Sequence, residues 1–339
     1  MKRPSISSSL SLLRLSRLTE ASVSKEEVWR TLRELAQTNL YFLCKAVLGF
    51  KDLTPEFHGK LCFQVDQMPT DYARRLDLWP RGHLKTHILT FGRSVQEYLR
   101  NNEVRILLAG SSRDNAMKNL GKIKRIFETN SVLHWLFPEC IPDIRGSKWA
   151  ETQIVLPRHT NPPEPTFHCV GVGGHITGYH FDVIRKDDLI DEKTEKSPEV
   201  MEKIISWHLV SKNLLESPTT GVDHLIGTRW SCGDLYQYVI DSEPEYSVTT
   251  IPAIGTGTVK TRKGTQPVEF RRERDQPNWA KRFKLDALLE LREKEPYQYA
   301  CQQMNNPRDA ATVDFDARWL RYYSLAAEGN ELLLEGVGT

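Results

Sequence analysis

The chain has 339 residues, and its 46 lysines and arginines against 44 aspartates and glutamates give a net charge of +2. A chain of this length can bury a large core as one big domain or two smaller ones. The small net charge excludes attraction of nucleic acid by the molecule as a whole, so such contacts would need local basic patches. The 6 cysteines include no CxxC pair, which predicts buried thiols in a reducing compartment and no structural metal.

The N-terminal residues 1–23 are rich in serine and weakly patterned, which predicts a mobile arm. Their apolar stretch is interrupted by Arg14 and Arg17 and lacks a small-residue cleavage site, so it makes a poor signal peptide. No apolar run approaches the roughly 20 residues that a membrane-spanning helix needs. We therefore expect a soluble intracellular protein without membrane contact. A helix is predicted to begin at Ser24, because residues 24–27 form a capping box.

From about residue 76, short β-rich runs alternate with helical stretches, which predicts an α/β fold with a mainly parallel sheet covered by helices. Strands are predicted at residues 104–109, 153–156, 167–172, 181–184, 224–226 and 246–251, and helices at residues 86–99, 114–127 and 198–215. This architecture places ligands at the carboxyl ends of its strands. Residues 259–284 carry nine lysines and arginines and several turn residues, and they are predicted to form a solvated linker or lobe rather than sheet core. A helix at residues 285–294 and a strand at residues 331–337 follow.

Residues 79–86 (WPRGHLKT) lie between an apolar run and a helical pattern, where a phosphate-binding loop belongs. Backbone amides at the helix N-terminus would hold phosphates, Lys85 would supply a positive charge, and the Thr86 hydroxyl would bind Mg²⁺. The pattern GxxxxGK[ST] is broken twice, because Trp79 and Leu84 occupy the glycine positions. Taken alone, an exposed basic turn that starts a helix would explain these residues about as well.

A second candidate element is the strand that leads into Asp187 and Asp188. Asp187 can hold Mg²⁺ while Asp188 orients or deprotonates an attacking water. The alternative is a charged turn after a strand. Arg185 and Lys186 are unusual in a strand that is buried on both faces. They could neutralise the acidic pair, or one of them could reach a neighbouring subunit.

A third element, residues 225–230 (LIGTRW), predicts a short strand that ends in the polar pair Thr228 and Arg229. At the carboxyl end of a neighbouring strand, these side chains could sense a γ-phosphate and pass its state to parts that contact DNA. Many strand ends have this composition, so the pattern alone is not specific.

In this order, the segments resemble the large terminase subunits of tailed bacteriophages. The matching segments are PRGHLKT (80–86), GVGGHITGYHFD (171–182) with the following acidic pair, GTRW (227–230), GDLY (233–236), YACQQMNNP (299–307) and FDARWLRYY (315–323). The resemblance runs from about residue 40 to the end of the chain. It implies a P-loop ATPase motor domain over residues 24–258, a linker or lobe over residues 259–325, and the start of an otherwise absent RNase H-like nuclease domain over residues 326–339.

The resemblance also implies roles for individual residues. Asp187 would share the metal with Thr86, Asp188 would be the catalytic carboxylate, and Thr228 would couple hydrolysis to movement. Asp188 is one methylene shorter than the glutamate usual at this position. His58 falls in the family's region near the adenine, with a core histidine as the alternative. The nucleotide-binding residues would be Pro80, Arg81, Gly82, His83, Leu84, Lys85 and Thr86, of which Arg81 and Lys85 would also be catalytic.

A ring-shaped motor needs an arginine from a neighbouring subunit, and the candidates are Arg158, Arg185 and Arg229. It must also grip the DNA backbone with lysines and arginines. One candidate patch is Arg145 and Lys148, in a turn before a strand. The other lies on one helical face, with ordinary solvated faces as the alternative for both, and consists of Lys118, Lys122 and Arg125.

The expected function is hydrolysis of ATP, with Mg²⁺, coupled to translocation of double-stranded DNA into a procapsid in the host cytoplasm. The expected partners are DNA, the capsid portal and the small terminase subunit, with a homo-oligomeric ring assembling on the portal from monomers. Nuclease activity is not expected, since no carboxylate cluster follows residue 331. Two alternatives are a P-loop DNA helicase and a non-catalytic DNA-binding scaffold with a degenerate phosphate loop.

Overall fold

The computed structural model describes residues 24–67, 73–174, 178–194, 197–270 and 275–307, and the backbone of residues 323–325 and 332–334. The predicted N-terminal arm and most of residues 308–339 lie outside the described residues. Within the predicted strand at 331–337, Leu332–Leu334 pairs antiparallel with Tyr323–Leu325. The predicted helix start at Ser24 is confirmed, because the Ser24 hydroxyl caps the helix by accepting from the Glu27 amide at 3.1 Å.

A nine-stranded sheet forms the centre of the molecule. Its strands are β1 (Arg74–Leu78), β2 (Ile106–Gly110), β3 (Gln153–Ile154), β4 (Phe167–Gly171), β5 (Val183–Asp187), β6 (Val222–Gly227), β7 (Ser247–Thr250), β8 (Gly257–Thr261) and β9 (Gly264–Val268). They lie in the order β3-β4-β2-β5-β6-β1-β7-β8-β9. The six strands in the middle of this order (β4, β2, β5, β6, β1 and β7) are parallel to one another, and antiparallel strands lie at both edges of the sheet. The predicted α/β fold with a mainly parallel sheet is confirmed.

Helices cover both faces of the sheet. The α-helices are α1 (Lys25–Thr38), α2 (Leu40–Phe42), α3 (Lys60–Gln67), α4 (Arg93–Arg100), α5 (Arg113–Thr129), α6 (Ser131–Leu136), α7 (Pro198–Ser211), α8 (Leu235–Ser242), α9 (Leu285–Lys294) and α10 (Pro296–Gln298). In strand β2, Ile106 and Leu108 pack on one face of the sheet against α1, α4 and α5, while Leu107 and Ala109 pack on the other face against α7 and α8. In the described part of the chain, no helix is long and apolar enough to cross a membrane.

Several helices contain wider or tighter turns that the sequence did not predict. π-helical turns at Leu43–Val47, Pro55–Gly59, Thr86–Gly92 and Tyr299–Gln303 adjoin α2, α3, α4 and α10. Short 3₁₀ turns lie at Pro138–Cys140 and Lys212–Leu214. The π-turn at Thr86–Gly92 opens the helix that follows the predicted phosphate loop, and such turns are frequent at functional sites.

The prediction that residues 259–284 form a linker or lobe outside the sheet is wrong for the first ten of these residues. Strands β8 and β9 form an antiparallel hairpin that extends the sheet from β7, so the expected boundary at residue 258 falls inside β8. Most side chains of β9 are exposed, as its composition predicted, and Pro267 is tolerated because β9 is an edge strand. The polar composition therefore marks a sheet edge.

Strand β5 buries two cations, one on each face of the sheet. Arg185 lies between the Glu97 carboxylate of α4 and His224, whose Nδ1 is 2.7 Å from the Arg185 guanidinium. Burial lowers the pKa of His224 to about 4, so the ring is neutral. His224 then donates through Nε2 to Asp77 Oδ2 at 2.6 Å and accepts at Nδ1 from Arg185.

On the opposite face, Lys186 Nζ lies 2.8 Å from Asp223 Oδ2 and 3.0 Å from His208 Nδ1. Tyr246 also donates to Asp223, at 2.8 Å. Arg185 and Lys186 are both fully buried. The expectations that they neutralise the acidic pair, or that Arg185 reaches a neighbouring subunit, are therefore wrong, because both cations have partners inside the sheet.

Asp223→Ala should lower the free energy of unfolding by about 3–5 kcal/mol, because it leaves the buried Lys186 ammonium without its counter-charge. Denaturant unfolding monitored by fluorescence measures the change. Glu290→Ala, which breaks an exposed ion pair with Lys294, is the matched control and should leave the midpoint almost unchanged. Equal losses in the two variants would contradict this account of the β5 network.

Candidate functional site

Residues 79–86, which we call the phosphate loop because they are predicted to bind phosphate, follow β1 and lack two of the expected glycines. Gly82 and Leu84 both have positive φ angles, 79° and 61°. Glycine adopts such angles freely, whereas a leucine pays about 1 kcal/mol or more in strain. Within the described ranges, no acceptor binds the backbone amides of Leu84, Lys85 or Thr86. The helix N-terminus therefore keeps free donors suited to an anion.

The acidic pair meets this loop. Lys85 Nζ lies 3.2 Å from Asp188 Oδ2, and the Thr86 hydroxyl donates to Asp187 Oδ1 at 3.3 Å. Asp188 has a positive φ of 44°, and its amide donates to the Ile226 carbonyl of β6 at 2.9 Å. The chain thus brings together groups a hundred residues apart at the carboxyl ends of β1 and β5, where open parallel sheets bind ligands.

Asp187 is buried and accepts two hydrogen bonds that the sequence reasoning missed. Thr90 donates to Oδ2 at 2.8 Å, and Asn119 of α5 lies 3.4 Å from the same oxygen. Burial raises the pKa of Asp187 to about 7, the charge of Asp188 adds to the rise, and Lys85 opposes it. The four-residue spacing from Thr86 to Thr90 on one helical face could have indicated Thr90. Nothing local to Asn119 distinguishes it in the sequence.

Thr228 follows β6 and contacts the root of the phosphate loop. Its hydroxyl donates to the Trp79 carbonyl at 3.0 Å, and the Trp79 amide donates to Gly227 at 3.1 Å. A Cβ atom on Gly227 would fall 2.1 Å from the Tyr236 ring, which explains why glycine stands there. The end of β6 is therefore joined directly to the loop that begins at residue 79.

Residues 275–307 brace the other side of the loop. The Arg81 amide and guanidinium donate to the backbone and side-chain oxygens of Gln302, both at 2.9 Å. Phe283 stacks on His83 with ring centroids 4.3 Å apart, and a Cβ atom on Gly82 would lie 3.0 Å from Phe283. The expected linker or lobe is thus part of the phosphate-loop environment, and sequence reasoning missed both Phe283 and Gln302.

Asn305 ties the same segment to the end of β6. Its side chain accepts from the Arg229 amide at 3.0 Å and donates to the Ile251 carbonyl at 2.9 Å. The Arg229 guanidinium is buried against Asp234 at 3.0 Å. Arg229 is therefore wrong as a candidate for delivery to a neighbouring subunit, because its side chain is used inside the chain.

The two histidines near the loop are core residues. His58 is fully buried, and its Nδ1 accepts from the Thr54 amide at 3.0 Å. His83 is also buried, and burial lowers its pKa to about 4. The imidazole rings of both histidines contact Phe57 and Trp279, which enclose them. Only the backbone of His83 remains for the predicted nucleotide contact.

The remaining candidates are distributed over the surface. Arg158 donates to the carbonyls of Pro162 and Glu164, at 3.0 and 2.9 Å, so its guanidinium holds its own loop. The five predicted DNA-binding residues are exposed: Arg145, Lys148, Lys118, Lys122 and Arg125. Lys122 and Arg125 also line a groove of about 520 Å³ beside His87, and the described residues that line this groove include no aspartate or glutamate.

The oxygen donors of Thr86 and Asp187 suit magnesium, which binds one or two carboxylates and completes its shell with phosphate and water. In the described ranges no cluster of three or more histidine, cysteine, aspartate or glutamate side chains could hold a metal. The donor set of Thr86 and Asp187 fits magnesium that a bound phosphate would help to hold.

No protein-family model and no curated protein matches the sequence. Several solved structures resemble the fold, among them two large terminases. The large terminase ATPase domain of Thermus phage P74-26, in a mutant form, aligns with a TM-score of 0.44 and 12% identity over 76% of this chain and 95% of that one. The large terminase of bacteriophage HK97 aligns with a TM-score of 0.43 and 14% identity over 73% of this chain, which spans 50% of the HK97 protein. These structural neighbours are phage large terminases.

Asp187→Asn should stabilise the nucleotide-free chain at alkaline pH. The pKa of Asp187 lies above its ordinary value of 3.8, so the folded chain keeps a proton that the unfolded chain releases between about pH 4 and pH 7. Stability of the native chain therefore falls across this window, and the variant escapes that loss. We expect the variant to gain on the order of 4 kcal/mol relative to the native chain between pH 4 and pH 8, since each unit of pKa shift corresponds to about 1.4 kcal/mol.

Thermal melting at several pH values measures this gain. Asp191→Asn is the control, because the Asp191 carboxylate caps its own exposed turn. A variant that loses stability relative to the native chain as the pH rises would contradict the burial of a charged Asp187.

Proposed function

We propose that the chain hydrolyses ATP and is the ATPase of a phage DNA-packaging motor. The observation that carries the proposal is the meeting of Lys85 with Asp188, at 3.2 Å, beside the contact of Thr86 with Asp187, at 3.3 Å. An ammonium, a hydroxyl, two carboxylates and free helix amides at adjoining strand ends are the groups that phosphoryl transfer requires. The order of the terminase-like segments supports the packaging role.

The phosphates of ATP would bind the free amides of residues 84–86 and the ammonium of Lys85. Thr86 and Asp187 would hold magnesium, which neutralises charge on the phosphates when bound. ATP would replace Asp188 as the partner of Lys85. That exchange would free the half-exposed Asp188 carboxylate to orient a water and accept its proton.

Arg81 would be the second cation of the site. Arg81 is exposed at the loop, and its guanidinium is held by Gln302 and lies 5.6 Å from the centre of the Trp230 ring. Released from Gln302, the guanidinium would be available to pair with a phosphate oxygen of the bound nucleotide. Thr228 would report the state of the loop to β6, because it bonds the Trp79 carbonyl.

The DNA-binding patch we favour is Lys118, Lys122 and Arg125 on α5. This helix also carries Asn119, which contacts Asp187, so a change at the carboxylate has a short rigid route to the exposed cations. Double-stranded DNA would be gripped through its phosphates without reading sequence. A homo-oligomeric ring on the capsid portal, loaded with DNA by the small terminase subunit, completes the proposal, and hydrolysis by isolated monomers should be slow.

Lys85→Ala and Asp188→Asn should each lower the ATPase rate by about a hundredfold or more, because they remove a charge-stabilising donor and the base. Asp188→Asn should retain affinity for a fluorescent ATP analogue, whereas Lys85→Ala should lose it. Phosphate release and analogue titration measure the two effects. Asp191→Asn, three residues beyond Asp188, is the control and should behave as the native chain. Unchanged turnover in either site variant would remove the assigned chemistry.

Charge reversal of the α5 patch, Lys122→Glu with Arg125→Glu, should weaken binding of double-stranded DNA and reduce its salt dependence. Each lost phosphate contact lowers the slope of log affinity against log salt by about 0.9. Fluorescence anisotropy with a labelled duplex at several salt concentrations measures this slope. The same reversal at Arg145 and Lys148 is the comparison, and a larger effect there would move the patch to that turn.

A further inference from the structure

The two oxygens of the Asp187 carboxylate have different surroundings. Oδ2 receives the Thr90 hydroxyl at 2.8 Å and faces the Asn119 amide at 3.4 Å. Among the described residues, Oδ1 receives only the hydroxyl of Thr86, at 3.3 Å, and Thr86 is the other proposed ligand of magnesium. The protein thus occupies one oxygen and leaves the second beside the hydroxyl.

The donors to Oδ2 come from two separate elements. Thr90 is buried in the helix that begins at the phosphate loop, and Asn119 lies on α5, which packs against β2 and β4. A carboxylate held from two directions cannot rotate about its terminal bond without losing both hydrogen bonds. Such outer partners of metal-binding carboxylates fix the orientation of the ligand oxygen.

We propose that Thr90 and Asn119 are positioning residues that fix the Asp187 carboxylate with Oδ1 beside Thr86, and thereby set the affinity of the site for the magnesium of MgATP. The inference rests on the proposed function. Neither residue touches the nucleotide in this account. Both act through Asp187, and their contribution is to the metal-dependent part of nucleotide binding.

The same helix offers a matched comparison for Thr90. Ser94 is also fully buried, one turn further along, and in the described ranges its hydroxyl has no hydrogen-bond partner. A buried hydroxyl in this helix is therefore tolerated without a partner, and the Thr90 bond to Asp187 is a feature of that position. On α5, Asn115 is the equivalent comparison, because its amide donates to the Ser111 hydroxyl at 2.8 Å.

The test compares affinity for mant-ATP in saturating MgCl₂ with affinity in EDTA. In Thr90→Val and Asn119→Ala, we expect the ratio of these affinities to fall by about tenfold or more, as for other outer partners of metal ligands. Affinity in EDTA should not change, because the amides and Lys85 are intact. Ser94→Ala and Asn115→Ala should keep the native ratio, and Thr90→Ser should restore most of it.

The outcomes separate this inference from the function beneath it. If the native chain binds mant-ATP equally well with and without magnesium, the proposed function fails and the inference fails with it. If the native ratio is large and Thr90→Val and Asn119→Ala keep it, only the inference is overturned. A parallel loss of affinity in MgCl₂ and in EDTA would show a structural role and would also overturn it. Should Thr90→Val not fold, Asn119→Ala on the separate helix decides.

Discussion

The ion pair between Arg185 and Glu97 is the interaction on which the site depends. Glu97 lies on the helix that begins at the phosphate loop, and Arg185 lies on the strand that ends in the acidic pair. The ion pair therefore fixes the position of the helix relative to β5. Thr90, seven residues earlier in the same helix, makes a second attachment by donating to Asp187. With two attachments along one helix, the distance between the loop and the carboxylates is no longer free to vary.

The buried charges are better understood as positioning devices than as sources of stability. Burying an ion pair costs about as much as the pair returns, whereas losing one partner is strongly unfavourable. Arg185 and Lys186 face opposite sides of the sheet, and each finds its counter-charge only in the observed register. A slip of β5 by one residue would place each cation on the face where its partner is absent. The charges thus select the register that brings Asp187 to the site.

The sequence predicted the features that depend on neighbouring residues. Alternating strands and helices, the cap at Ser24 and the acidic pair all follow from local patterns, and the structure brings Lys85 and Asp188 together as that hypothesis required. What it could not predict depends on contacts across the chain. The bond from Arg81 to Gln302 joins residues more than two hundred positions apart. The hairpin of β8 and β9 was predicted to be a linker because edge strands have a polar composition that resembles that of a linker.

The phosphate loop lacks two glycines, and the segment after the sheet, residues 275–307, holds the loop in its observed shape. A leucine at a positive φ is strained, so the loop holds this shape only if its surroundings impose it. Phe283 stacked on His83 and Gln302 bonded to Arg81 supply that restraint from residues 275–307. A loop restrained from outside loses less conformational freedom when it binds a phosphate than a glycine-rich loop does. The segment that was predicted to be a linker therefore packs against the candidate site, and movement of that segment would change the shape of the loop itself.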